Sequence, residues 1–428
     1  METQQQGQGP GPTAEPQPEN QPTKGTQAAP TPQPERGTPA VKLSHWEEIR
    51  AGRRFPAETP EERFREFRFD TTHPATQLRR LLETEPYVFA PGLYNAGGVK
   101  LAAHAGFRAA YLSGYSYAVE EHGITDVGAF SRSELAGQAA RMVRASDYWV
   151  REQYVMEGQL CEGLPLVVDM EDGHGGFGQV QLLTRQLLAA GVAAGHLEDQ
   201  AERRCGHLPG KVLVPVEKQL ERLLAARSEA EQMGQQDFVL IARTDAATAR
   251  YTPEGVRGSI GLAIERTLAY ARAEIHNRRA IDLAWCEFKD QNLEDIIAWS
   301  RAVRAEHPDL PLAINLSSSF DWTNPAFQPP VTMEQLADEG FRYMFMTLAD
   351  NHAGRNGSWN FFQDILANGT AAFPRQQALE KASGTPSASH NKLAGTMAYF
   401  AGGTVFGSQS FASGDMRDGD SALSEVAP

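Results

Sequence analysis

The chain's 428 residues can bury a large core, as one large α/β domain or two ordinary ones, and 41% hydrophobic with 22% charged content is ordinary for a soluble globular protein. A net charge of −14 argues against nucleic acid as the main partner, because phosphate backbones need a basic footprint. No apolar run reaches the roughly 18–20 residues that span a bilayer, METQQQGQGP lacks the regions of a secretory signal, and Cys161, Cys205 and Cys286 are too few for a disulfide framework, so the expectation is a reduced, cytoplasmic chain with no membrane partner.

Residues 1–41 are mainly Gln, Pro, Gly, Thr and Glu. Such a segment cannot offset its ordering entropy by burial, and a disordered tail is expected. An N-terminal helical region is expected over 42–86, opening on LSHWEEIRAGRRF. From 87 to 370, short apolar runs alternate with longer helical patterns, the signature of βα units on a parallel sheet. The predicted strands are YVFAPGL (87–93), AAYLSG (109–114), LPLVVD (164–169), AAGHLE (193–198), DFVLIAR (237–243), IDLAWCE (281–287), PLAINLS (311–317) and RYMFMTLA (342–349). Helices are predicted at VKLAAHAGF, SELAGQAARMVRASDYWVREQYVMEG, QVQLLTRQLLAAG, VEKQLERLLAARSEAEQMG, IGLAIERTLAYARAEI, LEDIIAWSRAVRAEH, MEQLADEG and WNFFQDILANG. These alternating units predict an α/β fold, a (β/α)8 barrel with extra N-terminal and C-terminal helices. Residues 371–410 read as a C-terminal helical region, and 411–428 as a flexible tail or lid segment.

A barrel places its chemistry at the C-terminal ends of its strands, and polar residues gather there. They are Ser113 and Gly114, Asp169 and Glu171, Glu198 and Asp199, Arg243 to Asp245, Glu287, Asn315, Ser317 and Ser319, and Thr347. Polar residues also mark where any buried strand stops, but acids, an arginine and hydroxyls on so many ends favour a site. Asp169, Glu171, Glu198 and the loop residue Asp126 offer hard oxygen ligands without His or Cys, which suits Mg²⁺, with Mn²⁺ as the alternative. The competing reading pairs some of these acids with Arg203, Arg204 or Arg243. Arg243 suits bidentate recognition of a carboxylate. Asn315, Ser317, Ser319 and Thr347 are neutral donors for a second one, so a small di- or tricarboxylate is the expected ligand.

The run RRCGHL (203–208) sets Cys205 and His207 among arginines. Arg203, Arg204 and a protonated His207 would favour a Cys205 thiolate, able to act as nucleophile or as proton donor and acceptor. Cys-x-His supplies only two ligands with no second pair, so zinc is not expected. A structural Cys-Gly turn and a cysteine hydrolase built on Cys205 and His207 are the competing readings.

RRCGHLPGKVLVP resembles the signature loop of the isocitrate lyase family. AAYLSGY, LPLVVDMEDGHGGFG, AAGHLEDQ, LIARTDA, LAWCE, NLSSSFDW and FMTLA occur around it in the family's order, from about residue 45 to 410. The resemblance implies Mg²⁺-dependent retro-aldol (Claisen-type) cleavage of isocitrate to glyoxylate and succinate, in the glyoxylate bypass of the tricarboxylic acid cycle. It implies Asp169 as the direct metal ligand, with Asp126, Glu171 and Glu198 acting through water. Ser113, Gly114 and Arg243 match the glyoxylate subsite, and Asn315, Ser317, Ser319 and Thr347 the succinate subsite, with Tyr115 and Gly206 as further substrate contacts. Cys205 matches the proton donor to the succinate carbanion, His207 and Glu287 its polar neighbours, and Tyr111 a participant in removing the hydroxyl proton. A homotetramer with exchanged C-terminal helices is implied as well, with SASHNKLAGTMAYFAGG (387–403) as the candidate exchanged element. The chain departs from the pattern at Arg203, usually Lys, at Tyr115, usually Trp, in the longer DMEDGHGGFG turn and in NLSSSFDW. These departures leave open a 2-methylisocitrate lyase, another carbon–carbon lyase of the superfamily, or a catalytically silent barrel.

Overall fold

The structure, a computed structural model, describes residues 59–69 and 74–408. The expected tails at 1–41 and 411–428, and residues 42–58 and 70–73 of the first expected helical region, lie outside the described residues. Eight parallel strands close into a barrel: β1 (Val88–Leu93), β2 (Ala110–Leu112), β3 (Leu166–Asp169), β4 (Ala194–Glu198), β5 (Val239–Thr244), β8 (Leu283–Cys286), β9 (Leu312–Asn315) and β10 (Phe341–Met346). A two-stranded hairpin, β6 (Glu274–Ile275) and β7 (Arg278–Arg279), interrupts the series. Each barrel strand lies within a predicted strand except at its edges by a residue or two. Short apolar runs flanked by Gly, Pro and Asp form such strands because both faces are buried, one inside the barrel and one beneath the helices.

The strand register builds the site. Pairing of β4 with β5 sets Glu198 beside Arg243, pairing of β3 with β4 sets Asp169 beside His196, and pairing of β9 with β10 sets Asn315 beside Phe345. Inside the barrel, Tyr111, Val167, Val239, Ile241, Trp285, Tyr343 and Phe345 pack with Leu78 and Leu81 of the helix Pro74–Thr84. That helix plugs the N-terminal end. Its Arg79 donates to Asp237 O (2.7 Å) and to Phe238 O (3.2 Å), and pairs with Asp282 (2.7 Å), all at strand starts.

Around the barrel, the long helix Arg132–Glu157 begins at a Ser131–Glu134 capping box and stops at Gly158 in the left-handed region (φ 68). Three differences from the predicted elements stand out. A short helix, Gly114–His122, follows β2 directly, capped by Ser113 Oγ. The predicted helix at IGLAIERTLAYARAEI ends at Ala271, and its tail becomes the β6–β7 hairpin, whose turn residues His276 and Asn277 take φ 49 and 62. The helix predicted at WNFFQDILANG starts ten residues earlier than expected, running Ala349–Asn368. C-terminal helices Ala372–Ser383 and Thr396–Val405 follow. The latter packs on the first described helix, Pro60–Glu66, through Phe64, and on Val155.

Candidate active site

The carboxylates meet at the C-terminal mouth of the barrel. Asp169, Asp126, Glu171 and Glu198 are all buried, at 7%, 4%, 1% and 1% exposure, so burial dominates their ionisation. Burial first and the charge of Asp169 second push Asp126 up to about 7. Glu171 is driven well above its ordinary range by burial and then by Asp126, Asp169 and Glu198, and Glu198 is driven up by burial against the pull of Arg243. Asp126 Oδ1, Glu171 Oε1 and Glu198 Oε1 are buried without a hydrogen-bond partner. Glu171 also holds φ 54, a backbone region that non-glycine residues seldom occupy. Orphaned hard oxygens that repel one another are the donor set a divalent cation satisfies. No three His, Cys, Asp or Glu side chains form a ready cage among the described residues. A cation here would therefore take few direct protein ligands and keep waters, as Mg²⁺ does. Gly114 opens the cluster: a Cβ there would collide with Glu171 Oε1 and lie 3.1 Å from Asp169 Oδ2.

Arg243 occupies the floor. Its Nη1 lies 3.0 Å from Glu198, its Nε and Nη2 donate to Asp245 (2.8 and 3.1 Å), and its guanidinium sits 4.5 Å over the Trp285 ring. Burial opposes this charge, but Asp245, Glu198 and Glu287 hold it firmly protonated. The fork that sequence assigned to a substrate carboxylate is thus already engaged by Asp245, and the competing reading that an acid of the cluster pairs with Arg243 describes Glu198. Burial would raise Asp245, yet Arg243 and Lys211, whose Nζ lies 2.8 Å away, hold it down at about 2. Tyr111 places its hydroxyl 3.4 Å from Asp169 Oδ2 and 2.8 Å from His196 Nε2.

The RRCGHL segment lies across this mouth. Cys205 N donates to Asp126 O (3.1 Å), and Gly206 rests on Arg243 so closely that a Cβ would collide with Nη2. His207 Nε2 lies 3.0 Å from Glu287 Oε1, and its ring meets Phe320 edge-on. The thiolate expectation is corrected. Burial, with Asp126 and Glu287 adding, outweighs the His207 amide and Arg243 and pushes Cys205 up to about 11, so it is a thiol. Arg203 and Arg204 turn elsewhere: Arg203 to Phe130 O and His174, Arg204 to Gly210 O (3.5 Å). His207 faces Glu287 rather than activating Cys205, which removes the geometric basis of a cysteine hydrolase.

On the opposite rim, Asn315 Nδ2 donates to Glu287 Oε1 (3.3 Å) and its Oδ1 accepts from Thr347 N (3.4 Å). Ser317 is fully buried and its Oγ accepts from Ser319 N (3.0 Å), while Ser319 itself is exposed. Ser113 Oγ is used in capping Ser116 N (3.2 Å), and Tyr115 is half-buried on the following turn. Sequence reasoning gave no role to His196, Trp285, Asp245 or Lys211. A histidine and a tryptophan inside buried strands, and an aspartate two residues after the arginine, were the available signals.

A family model described as phosphoenolpyruvate phosphomutase matches residues 78–274, and one described as the isocitrate lyase family matches residues 251–404. The chain is 36% identical over 292 residues to the isocitrate lyase of Haloferax volcanii, covering 68% of this chain and 75% of that one. It is 31% identical over 354 residues to the isocitrate lyase of Halalkalibacterium halodurans, covering 75% and 81%. A phosphoenolpyruvate phosphomutase from Streptomyces platensis subsp. rosaceus shares the fold with a TM-score of 0.60 at 23% identity, over 78% of this chain and 99% of that one. An oxaloacetate acetylhydrolase in complex with 3,3-difluorooxalacetate matches with a TM-score of 0.56 at 25% identity, over 73% and 97%. With the barrel, the ordered strand-end residues and two relatives above 30% identity in agreement, the chain belongs to the isocitrate lyase family, a family of carbon–carbon lyases.

Proposed function

We propose that the chain cleaves isocitrate to glyoxylate and succinate as an isocitrate lyase of the glyoxylate bypass. The observation that carries this reading is the placement of Cys205 on a loop lying against Arg243 at the rim of a carboxylate cluster, its amide bonded to Asp126 O. A lyase that breaks a carbon–carbon bond must deliver a proton to the carbanion it makes, and a half-buried thiol that keeps its proton can be that donor. A divalent cation, Mg²⁺ or Mn²⁺, held by Asp169 with Asp126, Glu171 and Glu198 around it, would supply Lewis-acid polarisation of the substrate's oxygens. Tyr111, 3.4 Å from Asp169, is the proposed participant in removing the hydroxyl proton. As the carbon–carbon bond breaks, its electron pair passes to the succinate-forming carbon. Asn315, Ser317, Thr347 and His207 are proposed to hold the resulting aci-carboxylate, and the Cys205 thiol to protonate it.

The test supplies purified full-length protein and Mg²⁺ with isocitrate or 2-methylisocitrate and identifies the oxoacid released. Glyoxylate from isocitrate is the expected product; pyruvate from 2-methylisocitrate with no glyoxylate from isocitrate would replace this reading by the methylated substrate. Cys205→Ser is expected to lower kcat by about 10²–10⁴-fold, because a hydroxyl is a far weaker acid. Full activity in that variant would remove Cys205 from the reaction.

A homotetramer remains part of this reading. In the single chain, the 396–405 helix is already packed on Phe64 and Val155. That helix still exposes Met397 and Tyr399, with Phe406 exposed just after it, and the two helices upstream expose Trp359, Phe362, Leu366, Phe373 and Leu379. The proposed exchange between subunits keeps 387–403 as its candidate element, with the exposed faces of 349–383 beside it.

A further inference from the structure

Two departures from the family pattern, Arg203 and the longer DMEDGHGGFG turn, meet in space. Arg203 Nη1 lies 2.7 Å from His174 Nδ1 and 3.1 Å from Phe130 O, and its Nε lies 3.4 Å from Asp172 Oδ1. A guanidinium has only donors, so His174 Nδ1 is the acceptor and the ring carries its proton on Nε2. The turn is shaped to present that atom. His174 sits at φ 59 between Gly173 (φ 82) and Gly175 (φ 140), its own N–H donates to Asp172 Oδ1 (2.9 Å), and its ring packs against Phe130 with 5.9 Å between centroids. On the other side of Arg203, Gly128 leaves no room for a side chain, since a Cβ there would lie 2.6 Å from Arg203 Cβ. A lysine's single terminal nitrogen does not hold three partners spread around a planar fork.

We propose that His174 is a positioning residue for the 203–208 loop: its Nδ1 receives Arg203 and holds the segment carrying Cys205 down over the strand ends. Arg203 and the DGHGG turn then act as a matched pair. The kinetic part of this proposal rests on the lyase reading; the structural part does not.

Two variants separate the hydrogen bond from the backbone. His174→Gly suits the left-handed backbone and deletes the acceptor, whereas His174→Asn tolerates that backbone and carries Oδ1 as many bonds from Cα as Nδ1. Amide hydrogen exchange is measured on the full chain without substrate. Exchange across 204–208 is expected to rise about tenfold in His174→Gly, the scale of a hydrogen bond to a charged group, and to stay within about threefold in His174→Asn. On the cleaved substrate, kcat is expected to fall about tenfold in His174→Gly with KM little changed. His174→Gly added to Arg203→Lys should then cost nothing more, because one contact has already been lost. Unchanged exchange in His174→Gly, or independent multiplication of the two effects, overturns the proposal. If the wild-type protein cleaves neither substrate, the lyase reading falls while the exchange measurement still decides the role of His174.

Discussion

A thiol pushed up to about 11 keeps its proton throughout the physiological range, which suits the acid role proposed for Cys205. Its alkylation by iodoacetamide at pH 7 should be about a hundredfold slower than that of a free cysteine, and should climb roughly tenfold per pH unit up to about pH 10. Site-resolved mass spectrometry checks this, because burial also pushes Cys161 up to about 12 and Cys286 well above its ordinary value, so each thiol is followed separately. A plateau near pH 8.5 would show a normal thiol. The Cys-Gly-His loop was legible from its residues, but its charge state was not. Arg203 and Arg204 adjoin Cys205 along the chain yet direct their guanidinium groups to Phe130, His174 and Gly210, while Asp126 and Glu287, distant in sequence, come close. Chain adjacency is a poor guide to the field at an atom when neighbouring side chains point to different partners.

The strand ends show what the register adds. Apolar runs bounded by Gly, Pro and Asp were enough to place the strands, because strands buried on both faces are mostly apolar, with polar residues gathered near their ends. The β6–β7 hairpin was missed, although His276-Asn277 is the kind of pair that accepts two positive φ angles. The cluster formed by β3, β4 and the loop holding Asp126 leads to a prediction about pH and metal. Asp126 rises from 3.8 to about 7, so the folded, metal-free protein binds more protons than the unfolded chain between these values. Its contribution to stability is complete below about pH 4 and is lost as pH rises through 7. A divalent cation displaces those protons, so the gain in Tm on adding Mg²⁺ should be larger at pH 8 than at pH 5.5, and EDTA should abolish it. Equal gains at both pH values, measured by calorimetry, would contradict the assignment of these acids to the cation.

For the whole molecule, the helix Ala349–Asn368 poses the main question, since Asn351 is its only buried residue. A helix this exposed gains little from its own chain and is marginal alone in water, yet Trp359, Phe362 and Leu366 are 63%, 57% and 80% exposed. Polar residues in DNHAGRNGS hid its first turns from the sequence reading, because no apolar stripe marks them. The expected outcome is a tetramer by light scattering that dissociates when Trp359→Glu and Leu366→Glu are combined; a wild-type monomer would refute this. The opposite end of the molecule has its own consequence. The plug formed by Leu78, Leu81 and Arg79 grips the starts of strands whose far ends carry the carboxylates and Arg243. Tolerance to heat and choice of substrate are therefore expected in different layers of one barrel. Selection, or a protein engineer, is free to adjust the lower layer for climate while leaving the upper layer's chemistry intact.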